Sequence, residues 1–397
     1  MFPLLRFPEF TDEWKESVLS DFVERVKRKN KNNLCKLPLT ISAQYGLVDQ
    51  ISFFNKVIAS ENMSNYYLLH KGDFAYNKSY SSEYPWGAIK RLDCYEQGTL
   101  SSLYICFKPY SHVSSDFLTH YFETSKWHQG ISEIAVEGAR NHGLLNVGIQ
   151  DFFETRHCLP QSLLEQEKIA KFLNLIEERI ATQNKIIEKY ESLIQAIIYQ
   201  KKAAGIRKGD WQKTELSNVL KERIEKNTNG YIICSVSVSQ GVINQIEYLG
   251  RSFAAKETLH YNVVKYGDIV YTKSPTGDFP YGIVKRSYIK DDVAVSPLYG
   301  VYMPVNDYIG VILHFYFMQP SNAFNYLHPL IQKGAKNTIN ITNERFLKNS
   351  IPLPKTENEA IYIANTLISI QKKIDMEKKM LWSYEKEKQY LLSKMFI

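Results

Sequence analysis

The pattern of apolar and polar residues is most regular between residues 163 and 202. This stretch contains no Gly and no Pro, and it is rich in Glu, Lys, Gln, Ile and Leu. Its apolar positions alternate steps of four and three residues, with Gln183 in place of one apolar residue; they are Ile169, Leu173, Ile176, Ile180, Ile187, Tyr190, Ile194 and Ile197. Such a repeat predicts one long helix of roughly 60 Å with a narrow apolar stripe. The alternative is an ordinary amphipathic helix on a globular core.

The same pattern recurs 194 residues later, near the end of the chain. The matching positions are Ile363, Leu367, Ile370, Ile374, Tyr384 and Leu391, and Glu377 stands where Gln183 interrupts the first stripe. Lys388, which matches Ile194, is a second departure from the apolar pattern. The sequence therefore predicts two long helices of the same kind.

The region before each helix is also duplicated. Residues 68–91 align without gaps with residues 263–286 at an offset of 195, and flanking segments align at offsets of 194 to 197. The identical pairs in the central window include Gly72/Gly267, Asp73/Asp268, Tyr76/Tyr271, Lys78/Lys273, Pro85/Pro280 and Gly87/Gly282. So many identities in one window indicate an internal repeat of globule and helix.

Each globule is predicted to be rich in strands, with some helix. The segments LYICFKP and LYGVYMP have the β-branched and aromatic content of strands, and KGD and YGD are typical of turns. One helical segment is predicted in each globule, at residues 116–131 and 308–327, and Pro320 would break or kink the second of them. The glycine-containing segment Ala203–Asp210 is predicted to be a turn or short linker between the halves.

Each narrow stripe needs a partner, and the other long helix packed antiparallel is the simplest one. Gln183 and Glu377 would then lie near each other, where a hydrogen bond could fix the register. The predicted fold class is α+β, with two similar mixed α/β domains separated by a long two-helix antiparallel coiled coil and related by a pseudo-twofold repeat. The predicted boundaries are 1–160, 161–203 for the central helix, 204–354, and 355–397 for the C-terminal helix. The predicted seam consists of Ile169, Leu173, Ile176, Ile180, Gln183, Ile187, Ile194, Ile363, Leu367, Ile370, Ile374 and Glu377.

Composition adds a few constraints. The net charge of +7 suggests a polyanionic partner without establishing one. Five scattered cysteines without a CxxC motif indicate neither a disulfide framework nor a zinc site, and they fit a reducing, cytoplasmic setting. No apolar run is long enough to span a bilayer, so no membrane association is expected. Two rigidly spaced globules suit a long periodic ligand such as double-stranded DNA.

The chain resembles the specificity (S, or HsdS) subunits of type I restriction–modification systems over essentially its whole length. The resemblance rests on the duplicated turns Gly72-Asp73 and Gly267-Asp268, the Leu159-Pro160 and Leu353-Pro354 lead-ins, and the EQEKIA helix start at Glu165–Ala170. The WxxxxLSD segment from Trp14 to Asp21 also resembles the family. The second helix departs from the pattern, because ENEAIYIA at Glu357–Ala364 replaces EQEKIA.

The resemblance implies a subunit without catalysis that binds a bipartite DNA target, one half per recognition domain. It also implies two modification (methyltransferase) subunits and two ATP-dependent restriction subunits as partners. In this family the helices set the spacer between half-sites and offer a docking surface for the modification subunits. No Walker A, GxGxxG, Asn-Pro-Pro-aromatic or HExxH motif occurs in the sequence, so no catalytic residue, metal or cofactor is expected.

Four pairs of residues are candidate DNA contacts, each with a structural alternative. Arg140 and Lys336 could contact phosphates, and the adjacent Asn141 and Asn337 could contact base edges. The same Gly-Ala-basic-Asn segments would also suit a helix C-cap. The remaining candidates have solvent-exposed alternatives: a hairpin tip for Lys78 and Lys273, and a helix end for Lys27 and Arg28.

Two other classes of function remain open at this point. The first is a self-sufficient nuclease or methyltransferase with a hidden site, which predicts turnover by the purified chain alone. The second is a structural adaptor that joins two identical partners and is indifferent to DNA.

Overall fold

The computed structural model describes residues 1–397 except residues 83, 136–142, 252–253, 255–256 and 334–338, and gives only the backbone of residues 332–333 and 339–340. The chain is α+β, as predicted, and forms two compact units. The first unit comprises residues 1–182 and 381–397, and the second comprises residues 183–380. Each unit therefore combines one strand-rich region with a segment of each long helix.

The strand-rich region of the first unit contains ten short strands and four short helices among its described residues. The strands are β1 Lys15–Val18, β2 Val23–Arg25, β3 Leu39–Ser42, β4 Gly46–Asp49, β5 Tyr67–His70, β6 Phe74–Asn77, β7 Ala88–Arg91, β8 Gln97–Leu100, β9 Ile105–Pro109 and β10 Arg156–Leu159. The helices are α1 Gln50–Phe54, α2 Ser115–Tyr121, α3 His128–Ile134 and α4 Ile149–Phe153, followed by the long helix α5 Leu163–Lys208.

The second strand-rich region follows α5 directly. Its strands are β11 Trp211–Glu215, β12 Leu220–Glu222, β13 Cys234–Ser237, β14 Gly241–Asn244, β15 Asn262–Val264, β16 Ile269–Tyr271, β17 Val284–Arg286, β18 Val293–Val295, β19 Gly300–Pro304, β20 Gln332–Lys333, β21 Ile339–Asn340 and β22 Ser350–Pro354. Its helices are α6 Gln245–Leu249, α7 Asp307–Phe317, α8 Pro320–Leu327 and α9 Asn343–Lys348, followed by the long helix α10 Glu357–Met395. Pro320 begins α8, so the predicted break falls between α7 and α8.

The two regions have the same strand topology. A four-stranded antiparallel sheet with the order β2-β9-β6-β7 in the first unit recurs as β12-β19-β16-β17 in the second. Three further antiparallel pairs, β1·β10, β3·β4 and β5·β8, recur as β11·β22, β13·β14 and β15·β18. The predicted duplication therefore extends from the sequence to strand order and register.

Repeated residues hold the centre of each sheet. Tyr76 and Tyr271 are fully buried, and their hydroxyls donate to the carbonyls of Trp86 (2.9 Å) and Tyr281 (2.7 Å). The next residue in each copy is a glycine with positive φ, Gly87 or Gly282. A Cβ at Gly87 would lie 2.9 Å from the Tyr76 ring and 2.2 Å from a backbone oxygen. The glycine is repeated because its φ is positive and because the neighbouring backbone and the buried tyrosine leave no room for a side chain.

The central helix α5 extends past the predicted turn at Ala203–Asp210 and ends at Lys208. Gly205 lies inside the helix because Trp211 packs against it, and a Cβ there would meet the indole at 1.9 Å. Gly209, with φ of +80°, then ends the helix in the left-handed conformation. The two glycines that suggested a turn therefore have different roles. Gly205 allows the close contact with Trp211, and Gly209 ends the helix.

In the first unit, the beginning of α5 and the end of α10 pack on the sheet together. Ile169, Leu173 and Ile176 belong to the same buried cluster as Leu391 and Phe396, and Ile180 lies partly buried against it. Glu177 on α5 forms an ion pair with Lys388 on α10, with 2.6 Å between nitrogen and oxygen. The departure of Lys388 from the apolar pattern is thus compensated by a carboxylate on the facing helix.

In the second unit, α5 and α10 run antiparallel. Gln183 donates its amide to the Glu377 carboxylate and to the Glu377 backbone carbonyl (3.2 Å). Further along α5, the Tyr190 ring lies under Lys373 and Lys201 lies over Tyr362, so partner numbers on α10 fall as numbers on α5 rise. The seam residues here are buried, apart from Ile370 and Glu377, which are half-buried; they are Gln183, Ile187, Ile194, Ile363, Leu367, Ile370, Ile374 and Glu377. The structure contains the hydrogen bond that the stripe pattern predicted.

None of the helices in the described part of the chain combines the length and the apolar character needed to cross a membrane.

Candidate nucleic-acid interface

Four of the eight candidate DNA contacts, Arg140, Asn141, Lys336 and Asn337, lie outside the described residues. The residues on either side of the second pair are described as the two short strands β20 and β21, which pair antiparallel. After the first pair, residues 143–145 return beside another candidate: Tyr80 donates to the carbonyl of Gly143 (3.1 Å), and Leu145 donates to the carbonyl of Lys78 (2.9 Å). The Lys78 loop therefore lies next to the backbone that follows Asn141.

Lys78 and Lys273 are half-buried, and each ammonium has a protein acceptor. Lys78 donates to the carbonyl of Val147 (3.3 Å), and Lys273 donates to the Asn343 side-chain oxygen (2.6 Å). Asn343 is held in turn by Glu222. Burial lowers the pKa of Lys273. Lys273 also has positive φ, which is uncommon for a residue with a side chain and marks a tight turn after β16.

Lys27 and Arg28 differ in environment. Lys27 is exposed, and it lines a cleft of about 340 Å³ with Glu24, Arg25, Val26, Arg28 and Lys108, where Lys108 pairs with Glu24 at 3.1 Å. Among the described residues, Lys27 has no ion-pair partner within 4 Å. Arg28 pairs with the buried carboxylate of Asp73 in the repeated Gly-Asp turn. Lys27 is therefore the cation of this pair that is available to a ligand.

The ion pair at the Gly-Asp turn is itself repeated, but from a different backbone position. In the second unit, Arg223 donates to both carboxylate oxygens of Asp268 at 2.6 and 3.0 Å. The backbone of Arg223 matches that of Val26, since both amides donate to the equivalent carbonyls of Val301 and Cys106. Arg28 and Arg223 thus bind equivalent carboxylates, although their positions within the repeat differ by two residues. Burial raises the pKa of Asp73, while the His70 amide and Arg28 oppose the rise.

A repeated contact that the sequence analysis missed joins each globule to the start of its helix. In the first unit, Glu165 accepts hydrogen bonds from the Trp14 indole (3.0 Å) and from two nitrogens of Arg6 (2.7 and 2.8 Å). In the second unit, Glu359 accepts from the Trp211 indole (3.0 Å). The two tryptophans match each other in the sequence repeat, and so do the two glutamates, so the repeat could have revealed these contacts. The EQEKIA helix start is therefore an anchor for the globule.

The next residue of the same motif also faces inward in the first unit. The Gln166 side chain accepts from the backbone amide of Ser114 and donates to the carbonyl of Pro160, both at 2.8 Å. The second unit has Ala360 at the equivalent position, which is also buried. The replacement of EQEKIA by ENEAIYIA thus keeps the glutamate that binds tryptophan and loses the glutamine contacts.

In the described part of the chain, no group of three or more His, Cys, Asp or Glu residues is arranged to hold a metal ion. The most strongly shifted histidines are structural. Burial lowers the pKa of His157 to about 3, and its ring nitrogens bond to Tyr121 (2.9 Å) and Thr155 (2.8 Å). Burial also lowers the pKa of His314 to about 3, and its ring accepts from the backbone amide of Arg286 (3.1 Å).

No family model matches the sequence, and no curated protein sequence matches it. Solved structures do match along the whole chain. The type I restriction–modification S subunit from M. genitalium aligns with a TM-score of 0.54 at 12% identity, covering 100% of this chain and 99% of that one. A chain from a structure described as the basis of complex assembly and conformational transition of the type I R-M system aligns with a TM-score of 0.50 at 14% identity, covering 97% and 98%. This chain has the fold of the specificity subunits of type I restriction–modification systems.

Proposed function

We propose that this chain is the DNA sequence-specificity subunit of a type I restriction–modification complex. The observation that carries the proposal is the duplicated globule-and-helix architecture, which a type I S subunit shares over its full length. Each strand-rich region would bind one half of a bipartite target on double-stranded DNA. The chain itself would be non-catalytic and cytoplasmic, and it would dock two modification and two restriction subunits.

The candidate DNA contacts have different weights within this proposal. Lys27 is exposed, unpaired among the described residues and beside Arg25 in the same cleft, so it suits a phosphate. Arg140, Asn141, Lys336 and Asn337 stay candidates for the target, whereas Lys78 and Lys273 already donate to Val147 and Asn343. If Lys27 neutralises one phosphate, Lys27→Gln reduces the slope of log affinity against log salt by about 0.9. An unchanged slope would remove Lys27 from the interface.

The direct test is co-expression with the cognate modification subunit, followed by mapping of methylated adenines in genomic DNA. We expect a single bipartite motif, with two defined half-sites and a spacer of fixed length. Swapping the strand-rich region of the second unit for that of another specificity subunit should change one half-site and leave the other intact. A stable complex that methylates no motif would contradict the proposal, as would turnover of DNA by the purified chain alone.

A further inference from the structure

Two short helices occupy the same place in the two units and expose the same kind of surface. Helix α1 and helix α6 both begin with Gln-Ile, at Gln50 and Gln245, and lie 195 residues apart. In α1 the exposed fractions of Ile51, Phe53 and Phe54 are 41%, 45% and 43%. The matching residues of α6 are also exposed: Ile246 at 58%, Tyr248 at 44% and Leu249 at 42%. Each unit thus presents three large apolar side chains from one short helix.

The fold holds both helices in place at each end. Asp49 accepts a hydrogen bond from the amide of Ile51 (3.0 Å), and Asn244 accepts from the amide of Ile246 (2.9 Å). Each helix then ends at a residue in the left-handed conformation, Asn55 or Gly250. A five-residue helix is not stable alone in water, so these caps maintain the exposed side chains in one arrangement. Binding such a surface costs little ordering entropy.

Another turn adds a fourth repeated apolar residue to each unit. Leu103 and Leu298 are 68% and 74% exposed, and each lies in a turn whose leading serine accepts from the leucine amide. In the first unit the next residue, Tyr104, lies 3.5 Å from Thr40 of β3, the strand paired with β4, which leads into α1. The leucine turn and α1 are therefore attached to the same hairpin. Paired apolar exposure in both units calls for an explanation beyond chance exposure of single residues.

The two units keep this surface in common although their basic surface differs. The run Lys27-Arg28-Lys29 of the first unit corresponds to Ile224-Glu225-Lys226 in the second. Elements that bind different half-sites should diverge between the units, and elements that bind the same partner should stay alike. The exposed side chains that the two helices and their leucine turns share are large and apolar, so this surface suits a protein better than a DNA backbone.

We propose that α1 and α6, each with its adjoining leucine turn, are equivalent contact surfaces for two copies of one protein, the modification subunit. This inference rests on the proposed function, which supplies a partner present twice. The partner's face would be an apolar groove that receives the isoleucine and the two larger side chains of each helix, as other apolar helix faces dock in grooves. The long helices alone would then not carry the whole interaction.

The test is the number of modification subunits bound per full-length chain, measured by native mass spectrometry after co-expression. The first-unit variant is Phe53→Ser with Phe54→Ser, and the second-unit variant is Tyr248→Ser with Leu249→Ser. We expect two bound subunits for the unaltered chain, one for either variant, and none for the combined variant, with at least tenfold weaker binding at each altered surface. Leu34→Ser and Leu259→Ser are matched controls, because both residues are exposed and neither belongs to these surfaces.

A conservative exchange separates loss of contact from loss of folding. Phe53→Tyr with Phe54→Leu gives α1 the side chains of α6, and two subunits should still bind. All variants should keep the thermal unfolding temperature of the unaltered chain, since the changed residues are exposed.

The outcomes distinguish the two proposals. If the unaltered chain binds two modification subunits and the combined variant does too, this inference is overturned and the proposed function stands. If the combined variant binds two subunits but loses affinity for duplex DNA, these surfaces contact DNA and the inference is also overturned. If the unaltered chain binds no modification subunit, the proposed function and the inference fail together.

Discussion

At the scale of single residues, the repeat marks positions that the fold requires. The Gly87/Gly282 pair is required by the backbone and the buried tyrosine packed against it, and the Asp73/Asp268 pair is a buried carboxylate in a turn. The cation that neutralises each carboxylate is not fixed in sequence position, since Arg28 and Arg223 reach it from different backbone positions. The repeat therefore identified the carboxylates, whereas their partners required the structure.

The Arg223–Asp268 pair leads to a prediction about stability. Arg223→Met leaves a buried carboxylate without its cation, and we expect the free energy of unfolding to fall by about 3 kcal/mol. Lys348→Met is the matched control, because Lys348 pairs with Glu344 on an exposed helix face and its loss should lower stability far less. Urea titration monitored by circular dichroism measures both. Equal effects of the two substitutions would contradict a buried role for Arg223.

The buried histidines lead to a prediction about pH. The pKa of His157 is about 3 in the folded chain and near 6.5 when unfolded, so the unfolded state binds the proton more readily between these values. The stability contributed by neutral His157 is therefore fully present above pH 6.5. It is lost as the pH decreases, by up to about 1.4 kcal/mol per pH unit for this group. His157→Gln should flatten the decrease between pH 6.5 and 5, whereas His112→Gln, at an exposed position, should not. An unchanged slope in His157→Gln would refute this assignment.

At the scale of elements, the long helices were the most predictable part of the chain. Their 3.5-residue pattern, uninterrupted by Gly or Pro, predicted both helices and the hydrogen bond between Gln183 and Glu377. The end of α5 was misjudged, because Gly205 looks like a helix breaker in the sequence and is instead a contact for Trp211. Short helices such as α1 could not be predicted from periodicity, because five residues carry too little of it.

The Gln183–Glu377 pair in the seam should fix the register of the two helices and make the seam less stable than an apolar pair would. Gln183→Leu alone removes the donor to Glu377, and we expect a loss of about 1 kcal/mol. The double variant Gln183→Leu with Glu377→Leu should be more stable than Gln183→Leu and at least as stable as the unaltered chain. Gln371→Leu, whose amide bonds to Asp375 on an exposed face, is the control. Thermal unfolding of all four proteins completes the comparison, and a double variant no better than the single one would contradict the argument.

At the scale of the whole molecule, the sequence revealed the duplication and the fold class because the offset between copies stays between 194 and 197 along the chain. The bases that each region would read could not be predicted, since base readout depends on side-chain geometry in loops rather than on residue type alone. Four of the candidate contacts lie outside the described residues, so they stay predictions.

If the helices set the spacer of a bipartite target, their length should control it. Inserting seven residues in α5 and seven at the facing place in α10 preserves the seam and adds roughly 10 Å, or about three base pairs. We expect methylation mapping to return the same half-sites with a spacer longer by about that amount. Insertion of seven residues in an exposed loop, beside Asn229, should leave the spacer unchanged. An unaltered spacer in the helix variant would refute the hypothesis that helix length sets the spacer.

The buried cluster of the first unit has a consequence for the order of folding during synthesis. Trp14 and Phe117 pack against Phe396, and the backbone of Leu5 donates to the carbonyl of Lys394 (2.9 Å). The second unit is built from one uninterrupted segment, whereas the first waits for residues that the ribosome adds after the entire second unit. The part of the protein translated first is therefore completed last, and a premature stop codon near the 3′ end of the gene would damage the N-terminal globule.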